Sequence, residues 1–257
     1  MILEDIQSKK DHRQIEIDKV GVKNITYPVT VLDKTHGEQH TVATVNMYVS
    51  LPHQFKGTHM SRFIEVLNEY RHGIDIRYFP EILRKILDRL DAASAHMEMR
   101  FPYFMQKKAP ISRASSIMSY QCAFKGSIQK GQYDLVVEVK VPLTSVCPCS
   151  KAISVGGAHN QRSEATVNIR FKEFVWIEDL IYLVESRASC DVYSLLKRSD
   201  EKYVTEKAYN NPKFVEDIVR DVARALLKDS NITWFSVEAE NYESIHNHNA
   251  YAFVEKY

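Results

Sequence analysis

The sequence predicts an α+β fold of antiparallel sheets with helices on one face, and three observations support this prediction. Strand-like runs follow one another in adjacent pairs, without the single crossover helices that parallel sheets need. The tetrapeptide Ala-Thr-Val-Asn occurs at 43–46 and again at 165–168. Because the order of elements is the same around both copies, we interpret the chain as two tandem modules, 24–126 and 127–257. Each module is then a four-stranded antiparallel sheet with two helices.

The first module begins with two strands, continues with two amphipathic helices and ends with two more strands. The strands are predicted over 24–32, 42–49, 96–104 and 114–124, and the helices over 60–70 and 81–93. The second module repeats this order, with strands over 133–141, 165–169, 233–239 and 250–255 and helices over 177–186 and 214–228. Its last helix has Asn211 as candidate N-cap and Pro212 at the first helical position. Open sheet edges tend to be paired, which predicts an oligomer.

The N-terminal segment, residues 1–23, contains many charges and no sustained hydrophobic period, which predicts a mobile arm or a segment that depends on a partner. The same charges exclude a signal peptide, and no apolar run approaches the roughly 20 residues of a membrane span. Four cysteines in 257 residues do not make a disulfide scaffold, so we expect a cytoplasmic protein. With 34 Lys and Arg against 33 Asp and Glu, the charge gives no reason to expect nucleic acid or membrane binding.

Glycine is scarce: the chain has 8, where about 18 would be expected at the usual frequency. Phosphate-cradling loops need glycine so that backbone N–H groups can approach the anion. No G-x-G-x-x-G is present, and Gln132 follows the one G-x-x-x-x-G where a P-loop needs lysine. P-loop NTPases and Rossmann dehydrogenases are therefore excluded, and any nucleotide must be held by side chains.

The segment Cys147-Pro148-Cys149 is the first candidate for chemistry. Lys151 follows it and favours a thiolate, which would serve as a nucleophile or a metal ligand. Free cysteines are equally often small buried hydrophobes, so the structural alternative stays open. The pair Gly156-Gly157 allows a sharp reversal that would return His159 towards Cys147, although a lone loop histidine is usually only solvated.

The C-terminal run 238–248 is the richest polar cluster. His246 and His248, two residues apart on an extended segment, share a face that suits metal binding or proton transfer. Glu243 lies three residues before His246 and would orient it or act on its own. A solvated loop at the end of a sheet is the alternative interpretation.

Two charged clusters and one acidic residue each allow both a structural and a functional interpretation. The cluster at 197–202, which contains Arg198, Glu201 and Lys202, is either an exposed face or a source of metal and phosphate ligands. The cluster at 56–62, which contains Lys56, His59 and Arg62, is either helix capping or a polyanion site. Glu216, taken alone, is an acid favoured by a helix N-terminus.

Taken together, these stretches resemble the type IB GTP cyclohydrolase I family, the prokaryotic branch of that activity. The motifs that carry the resemblance are KGTHMSRF (56–63), VPLTSVCPCSKAIS (141–154), GAHNQR (157–162), LLKRSDEKYVTEKAY (195–209), NPKFVED (211–217) and ENYESIHNHNAYA (240–252). The resemblance implies the tunnelling fold and a homo-oligomer, a tetramer, with active sites between subunits. It also implies that GTP and water become 7,8-dihydroneopterin triphosphate and formate, the first step of tetrahydrofolate synthesis.

The resemblance further implies roles for the candidate residues. A divalent transition metal, Zn, Mn or Fe, would be held by Cys147, His159 and Glu201, with Cys147 also the catalytic cysteine. Proton transfer falls to Glu243, His246 and His248, and Glu216 would accept hydrogen bonds from the guanine base. The triphosphate would be held by basic side chains, for which the candidates are Lys56, His59, Arg62, Arg198 and Lys202.

Two other functions remain open from the sequence. Cys147-Pro148 also resembles the thiol of 7-cyano-7-deazaguanine reductases of the same fold, in which a cysteine attacks a nitrile. A nucleotide-binding or structural zinc protein without catalysis is the second alternative. The role of Cys149 as a ligand, a redox partner or a supporting thiol also stays open.

Overall fold

The structure, a computed structural model, describes residue 7, residues 9–70 and residues 74–257. The chain divides into two compact units that are not contiguous in sequence. The first contains the described residues up to Phe101 together with Ala123–Val136, and the second contains Pro102–Cys122 and Val137–Tyr257. The boundary predicted after residue 126 therefore lies inside a strand, and the proposed duplication stays a prediction.

The first unit is a sheet with two helices. Its strands are β1 (Ile17–Asp33), β2 (Gly37–Leu51) and parts of β3 (Ser94–Lys108), β4 (Ser115–Gln129) and β5 (Gln132–Val146), in that order across the sheet. Helices α1 (Met60–Glu69) and α2 (Phe79–Leu90) contribute Phe63, Leu67, Phe79 and Ile86 to a fully buried core. A Cβ on Gly126 would lie 2.7 Å from Phe79, so glycine is needed where this ring approaches the sheet.

The second unit contains the remaining elements. These are α3 (Pro148–Ile153), β6 (Asn160–Phe171), α4 (Ile177–Glu185), β7 (Cys190–Asp191), α5 (Arg198–Asn210), α6 (Val215–Leu226), β8 (Ile232–Asn241) and β9 (Ala250–Lys256). The strands β5, β6, β8 and β9 are neighbours in that order and pair antiparallel, and β7 pairs with β5. Among the described residues, no helix is long and apolar enough to cross a membrane.

The predicted strands and helices all coincide with observed ones, but two local predictions are wrong. Strand β1 begins at Ile17 rather than residue 24, because its first residues are mostly exposed and so show no apolar period. Lys10 also bridges Phe55, while residues 1–6 and 8 of the predicted arm lie outside the described residues. Helix α6 starts at Val215 with Asp217 accepting the N–H of Phe214, so Asn211 is not its N-cap.

Helix α5 is an element that the hydrophobic pattern did not predict. It contains most of the charge cluster at 197–202, and only Asp200 and Ala208 are buried in it. A helix with so few buried positions lacks a continuous apolar stripe. Buried polar contacts hold it instead, since Asp200 accepts the N–H groups of Ile111 and Ser112 at 2.8 Å each.

A buried ion cluster lies within the second unit. Lys107 Nζ is 2.7 Å from Glu185 Oε1 and 3.0 Å from Asp191 Oδ2, and Lys207 Nζ donates to Asp191 Oδ1. Burial would raise the pKa of Asp191, but the charge of Lys107 and the hydrogen bond from Lys207 outweigh it and hold this pKa well below its usual range. Burial raises the pKa of Glu185 despite Lys107. Lys107 is therefore the cation that Glu185 and Asp191 share.

The turn between β1 and β2 predicts a pH-dependent stability. Asp33 is 6% exposed, and its carboxylate accepts N–H groups of Thr35 and His36 and the amide of Gln39. Burial would raise the pKa of Asp33, but these hydrogen bonds outweigh it and the pKa is lowered. A lowered native pKa stabilises the fold above the unfolded value of about 3.9, and this stabilisation is lost as pH falls towards the native pKa.

We expect Asp33→Asn to be less stable than the parent chain by on the order of 1 kcal/mol at pH 7. The difference should shrink as the pH falls below about 4, because the parent carboxylate then becomes protonated as well. Urea unfolding at a series of pH values measures this difference. A difference that stays constant from pH 7 to pH 3 would contradict the assignment.

Candidate active site

Cys147 lies at the end of β5, where α3 begins. Pro148 occupies the first position of α3, where its missing N–H costs nothing. The thiol of Cys147 accepts the N–H of Ser150 at 3.4 Å. Val146, the preceding residue, receives a hydrogen bond from Lys213 N at 3.0 Å and donates its own N–H to Ser189 Oγ at 3.2 Å. The backbone on the N-terminal side of the thiol is therefore held by two other segments.

The turn that follows α3 returns the chain to Cys147. Gly157 has φ of 92°, a left-handed conformation that favours glycine. Beyond it, the carbonyl of His159 accepts the N–H of Cys147 at 3.1 Å, and His159 N donates to Ser150 Oγ at 3.2 Å. The prediction that the glycine pair brings His159 back to Cys147 is confirmed.

The pairing of β8 with β6 brings the C-terminal polar cluster to the same place. Oε2 of Glu243 lies 3.9 Å from Nδ1 of His159, and the two side chains are only 10% and 12% exposed. The ring of His246 is perpendicular to that of His159, with centroids 6.5 Å apart. His248 stacks on His246 at 5.2 Å. The motifs at 157–162 and 240–252 therefore lie next to each other in the structure.

These side chains line one cavity of about 460 Å³, within the size range of small-molecule sites. Of the predicted site residues, it is lined by Cys147, His159, Glu216, Glu243, His246 and His248. Glu216 reaches it from the first turn of α6. Each of these residues comes from the second unit, so one compact unit forms the cavity.

The other predicted site residues are not among those lining the cavity. Glu201, Arg198 and Lys202 are exposed on the first turns of α5. Because the neighbouring Asp200 points inward to hold the 111–112 backbone, Glu201 is left in solvent. In the first unit, the guanidinium of Arg62 donates to the carbonyl of Arg89 at 2.8 Å. The remaining two predicted phosphate ligands, Lys56 and His59, also belong to the first unit.

The donor set of the cavity suits a transition metal, since it combines a thiol, imidazoles and a carboxylate. Cys147 and His159 are joined by a backbone hydrogen bond and both line the cavity, and their ligand roles stay predictions. Within the described ranges, however, no three His, Cys, Asp or Glu side chains are arranged as a ready metal site. The ligand role of Glu201 stays a prediction.

The structure adds cavity residues that the sequence analysis did not single out. Gln161 lies near the start of β6, two residues after His159, and this spacing is the signal that would have placed both on one face. Lys213 lies in the segment NPKFVED and holds the pKa of Asp221 below its usual range through a 2.6 Å contact. Tyr251 comes from β9, and its hydroxyl donates to Glu238 Oε2 at 2.9 Å. Tyr251 belongs to the motif at 240–252, but its place in the cavity depends on the pairing of β9 with β8.

Solved structures with a similar fold are urate oxidases. A hyperthermostable mutant of the Bacillus sp. TB-90 enzyme aligns with a TM-score of 0.56 at 10% identity, over 93% of this chain and 99% of that one. Uricase from Arthrobacter globiformis aligns with a TM-score of 0.53 at 10% identity, over 93% and 92%. At 10% sequence identity, these alignments show only that the fold is similar. The fold and the cavity thus define a tunnelling-fold protein with a thiol–histidine–carboxylate site.

The chain belongs to the type I GTP cyclohydrolase FolE2 family, whose model matches residues 3–252. GTP cyclohydrolase FolE2 of Syntrophus aciditrophicus is 65% identical over 252 residues, which cover 98% of this chain and 99% of that protein. The proteins of the same name from Methylobacillus flagellatus and Magnetococcus marinus are 60% and 58% identical, each over 96% of its own length. The resemblance found in the sequence motifs is confirmed.

Proposed function

We propose that this protein is a GTP cyclohydrolase I that converts GTP and water to 7,8-dihydroneopterin triphosphate and formate, the first step of tetrahydrofolate synthesis. The observation that carries the proposal is the single cavity in which Cys147, His159, Glu216, Glu243 and His246 meet. Family membership and the name shared by the relatives support this reaction rather than nitrile reduction.

The proposal includes one divalent transition metal, Zn, Mn or Fe, held by Cys147 and His159. When bound, such an ion lowers the pKa of water and supplies hydroxide for attack on the purine. Cys147 offers a sulfur ligand, and this sulfur accepts the N–H of Ser150 at 3.4 Å. His159 offers a ring nitrogen in the same cavity.

Proton transfer is assigned to Glu243, His246 and His248. Imidazoles change protonation near neutral pH, which suits them to protonate and deprotonate nitrogen and oxygen atoms during ring opening and ring closure. All three line the cavity, where His246 and His248 are exposed and Glu243 is largely buried. The cavity therefore offers both exposed and buried groups that can carry protons.

Base recognition is assigned to Glu216. Its carboxylate lies in the first turn of α6, where the positive end of the helix favours a negative charge. Two carboxylate oxygens can accept hydrogen bonds from the ring amide and the exocyclic amine of guanine together.

Replacing Glu216 with glutamine should lower kcat/KM for GTP by about 10- to 100-fold, since a hydrogen bond to a charged group contributes about 1.5–3 kcal/mol. The glutamine side chain keeps one acceptor oxygen, but its NH₂ group then faces an N–H donor of the guanine base. Steady-state kinetics with GTP measure the effect. The matched control is Glu206→Gln on exposed α5, which should change nothing; an equal loss in both variants would refute base recognition by Glu216.

The reaction is tested by incubating metal-loaded protein with GTP. Formate should appear together with a pterin that becomes fluorescent after oxidation. The nitrile-reductase alternative is tested in parallel by NADPH oxidation with a 7-cyano-7-deazaguanine substrate. NADPH oxidation without formate would overturn the proposal.

We also propose a cytoplasmic homo-oligomer, a tetramer, whose neighbouring chains complete the sites and supply triphosphate ligands from the predicted basic residues. Strand β9 pairs with β8 on one side, and no further strand of the described chain pairs with its other side. Its Tyr251 and Phe253 are 59% and 52% exposed. An open apolar edge favours pairing with another copy. Sedimentation equilibrium should give four times the mass of one chain, and a monomer would exclude the assembly.

A further inference from the structure

The side chain of Gln161 lies directly beside His159. Its Oε1 is 3.0 Å from Nδ1 of the imidazole, and the residue is 7% exposed. Among the described residues, this is the hydrogen-bond partner of the ring, and none bonds the other nitrogen, Nε2. Whichever atom of the amide faces the ring therefore decides which ring nitrogen carries the proton.

The orientation of the Gln161 amide is determined by its other neighbours. Its Nε2 donates to Ser145 Oγ at 2.9 Å and to Glu243 Oε1 at 3.4 Å. A carboxylate only accepts hydrogen bonds, so the NH₂ group must face Glu243 and the carbonyl oxygen must face His159.

Two buried serine hydroxyl groups favour the same orientation of the Gln161 amide. Ser145 is fully buried, and its oxygen lies 3.1 Å from Ser163 Oγ. Ser163 donates its only hydrogen to Asn241 Oδ1 at 2.7 Å, so the hydrogen between the two serines comes from Ser145. The Ser145 oxygen can then accept a hydrogen bond from the NH₂ group of Gln161. If the amide were flipped, its carbonyl oxygen would face the Ser145 oxygen, whose hydrogen is already donated to Ser163.

We propose that Gln161 is a positioning residue that holds neutral His159 as the tautomer protonated on Nδ1, with the lone pair on Nε2. The amide oxygen can only accept, so Nδ1 must donate to it, and a neutral ring then has no proton left for Nε2. Oε2 of Glu243 lies 3.9 Å from the same Nδ1, beyond hydrogen-bond distance, so the amide oxygen is the acceptor on that side.

One amide thus orients two cavity groups, because the same Gln161 side chain accepts from His159 and donates to Glu243. The consequence for function rests on the proposed metal: Nε2 is the nitrogen left to coordinate it. A partner that fixes the tautomer of a ligating histidine typically contributes 10- to 100-fold to metal affinity.

The tautomer is tested on the full-length protein labelled with ¹⁵N-histidine and freed of metal with a chelator. Long-range ¹H–¹⁵N correlation spectra distinguish the two tautomers, and the His159→Gln variant identifies the resonances. We expect a proton on Nδ1 in the parent chain and a mixture of tautomers in Gln161→Met, which keeps the length of the side chain but not the acceptor. A parent ring protonated on Nε2, or an unchanged tautomer in Gln161→Met, would overturn the proposal.

The control is Gln39→Met, which removes another amide bonded to a carboxylate, in the first unit, and should leave His159 unchanged. If Gln161→Met does not fold, the parent spectrum alone still decides the tautomer. Zn²⁺ affinity, measured by competition with a chelating dye, should be 10- to 100-fold weaker in Gln161→Met. A parent chain that binds no Zn²⁺ refutes the metal assignment and not the tautomer, whereas equal affinity in both chains refutes the link between them.

Discussion

Replacing Cys147 with serine is expected to remove the metal and to lower kcat for GTP by at least about 10³-fold, while the chain stays folded. A bound metal contributes several kcal/mol to transition-state stabilisation, and each 1.36 kcal/mol is a factor of ten in rate. A serine hydroxyl is a poor ligand for transition metals at neutral pH, because it stays protonated. The fold should tolerate the change, since Oγ can accept the N–H of Ser150 in place of the sulfur. Metal analysis and formate release measure both effects.

The matched control is Cys149→Ser, the same substitution two residues along the chain. Cys149 is exposed and does not line the cavity, so this variant should keep its metal and its activity. Loss of metal in both variants would show that Cys149 is a ligand too. Full activity in Cys147→Ser would remove the thiol from the mechanism altogether.

Replacing Lys107 with methionine should lower the free energy of unfolding by about 3–5 kcal/mol. The ammonium group lies between Glu185 and Asp191, and the three side chains are 11%, 6% and 15% exposed. Methionine fills a similar volume, but it leaves two buried carboxylates without their shared cation. Domains are commonly stable by only about 5–15 kcal/mol, so the loss is a large fraction of the total. We expect thermal unfolding to begin about 10 °C lower at equal protein concentration.

The control is Lys85→Met, which breaks a pair with Glu69 whose members are 38% and 35% exposed. Exposed pairs contribute about 0–1 kcal/mol, so this variant should unfold close to the parent temperature. Equal destabilisation of the two variants would mean that the buried cluster has no special role in the second unit.

The sequence by itself determined the order of strands and helices and the part of the site that is close together in the chain. Strand and helix periods predicted every principal strand and four of the helices, because those elements bury one face or stripe. Cys147 and His159 were predicted together because only a short helix and a glycine turn separate them. The C-terminal polar cluster supplied Glu243, His246 and His248, motif resemblance added a role for Glu216, and all four line the cavity. Scarce glycine excluded phosphate loops, and the cavity is correspondingly lined by side chains.

Only the tertiary structure decided which side chains from distant segments meet. The register of β6 against β8 pairs Ser163 with Asn241, and this pairing brings Glu243 to His159 and Gln161. Helix α5 presents Asp200 to the interior and therefore leaves Glu201 in solvent, although the two are adjacent in sequence. These outcomes depend on hydrogen bonds between residues about 80 positions apart, such as the 78 that separate Ser163 from Asn241. Local periodicity carries no information about such pairings, because they form only when strands distant in sequence pair with each other.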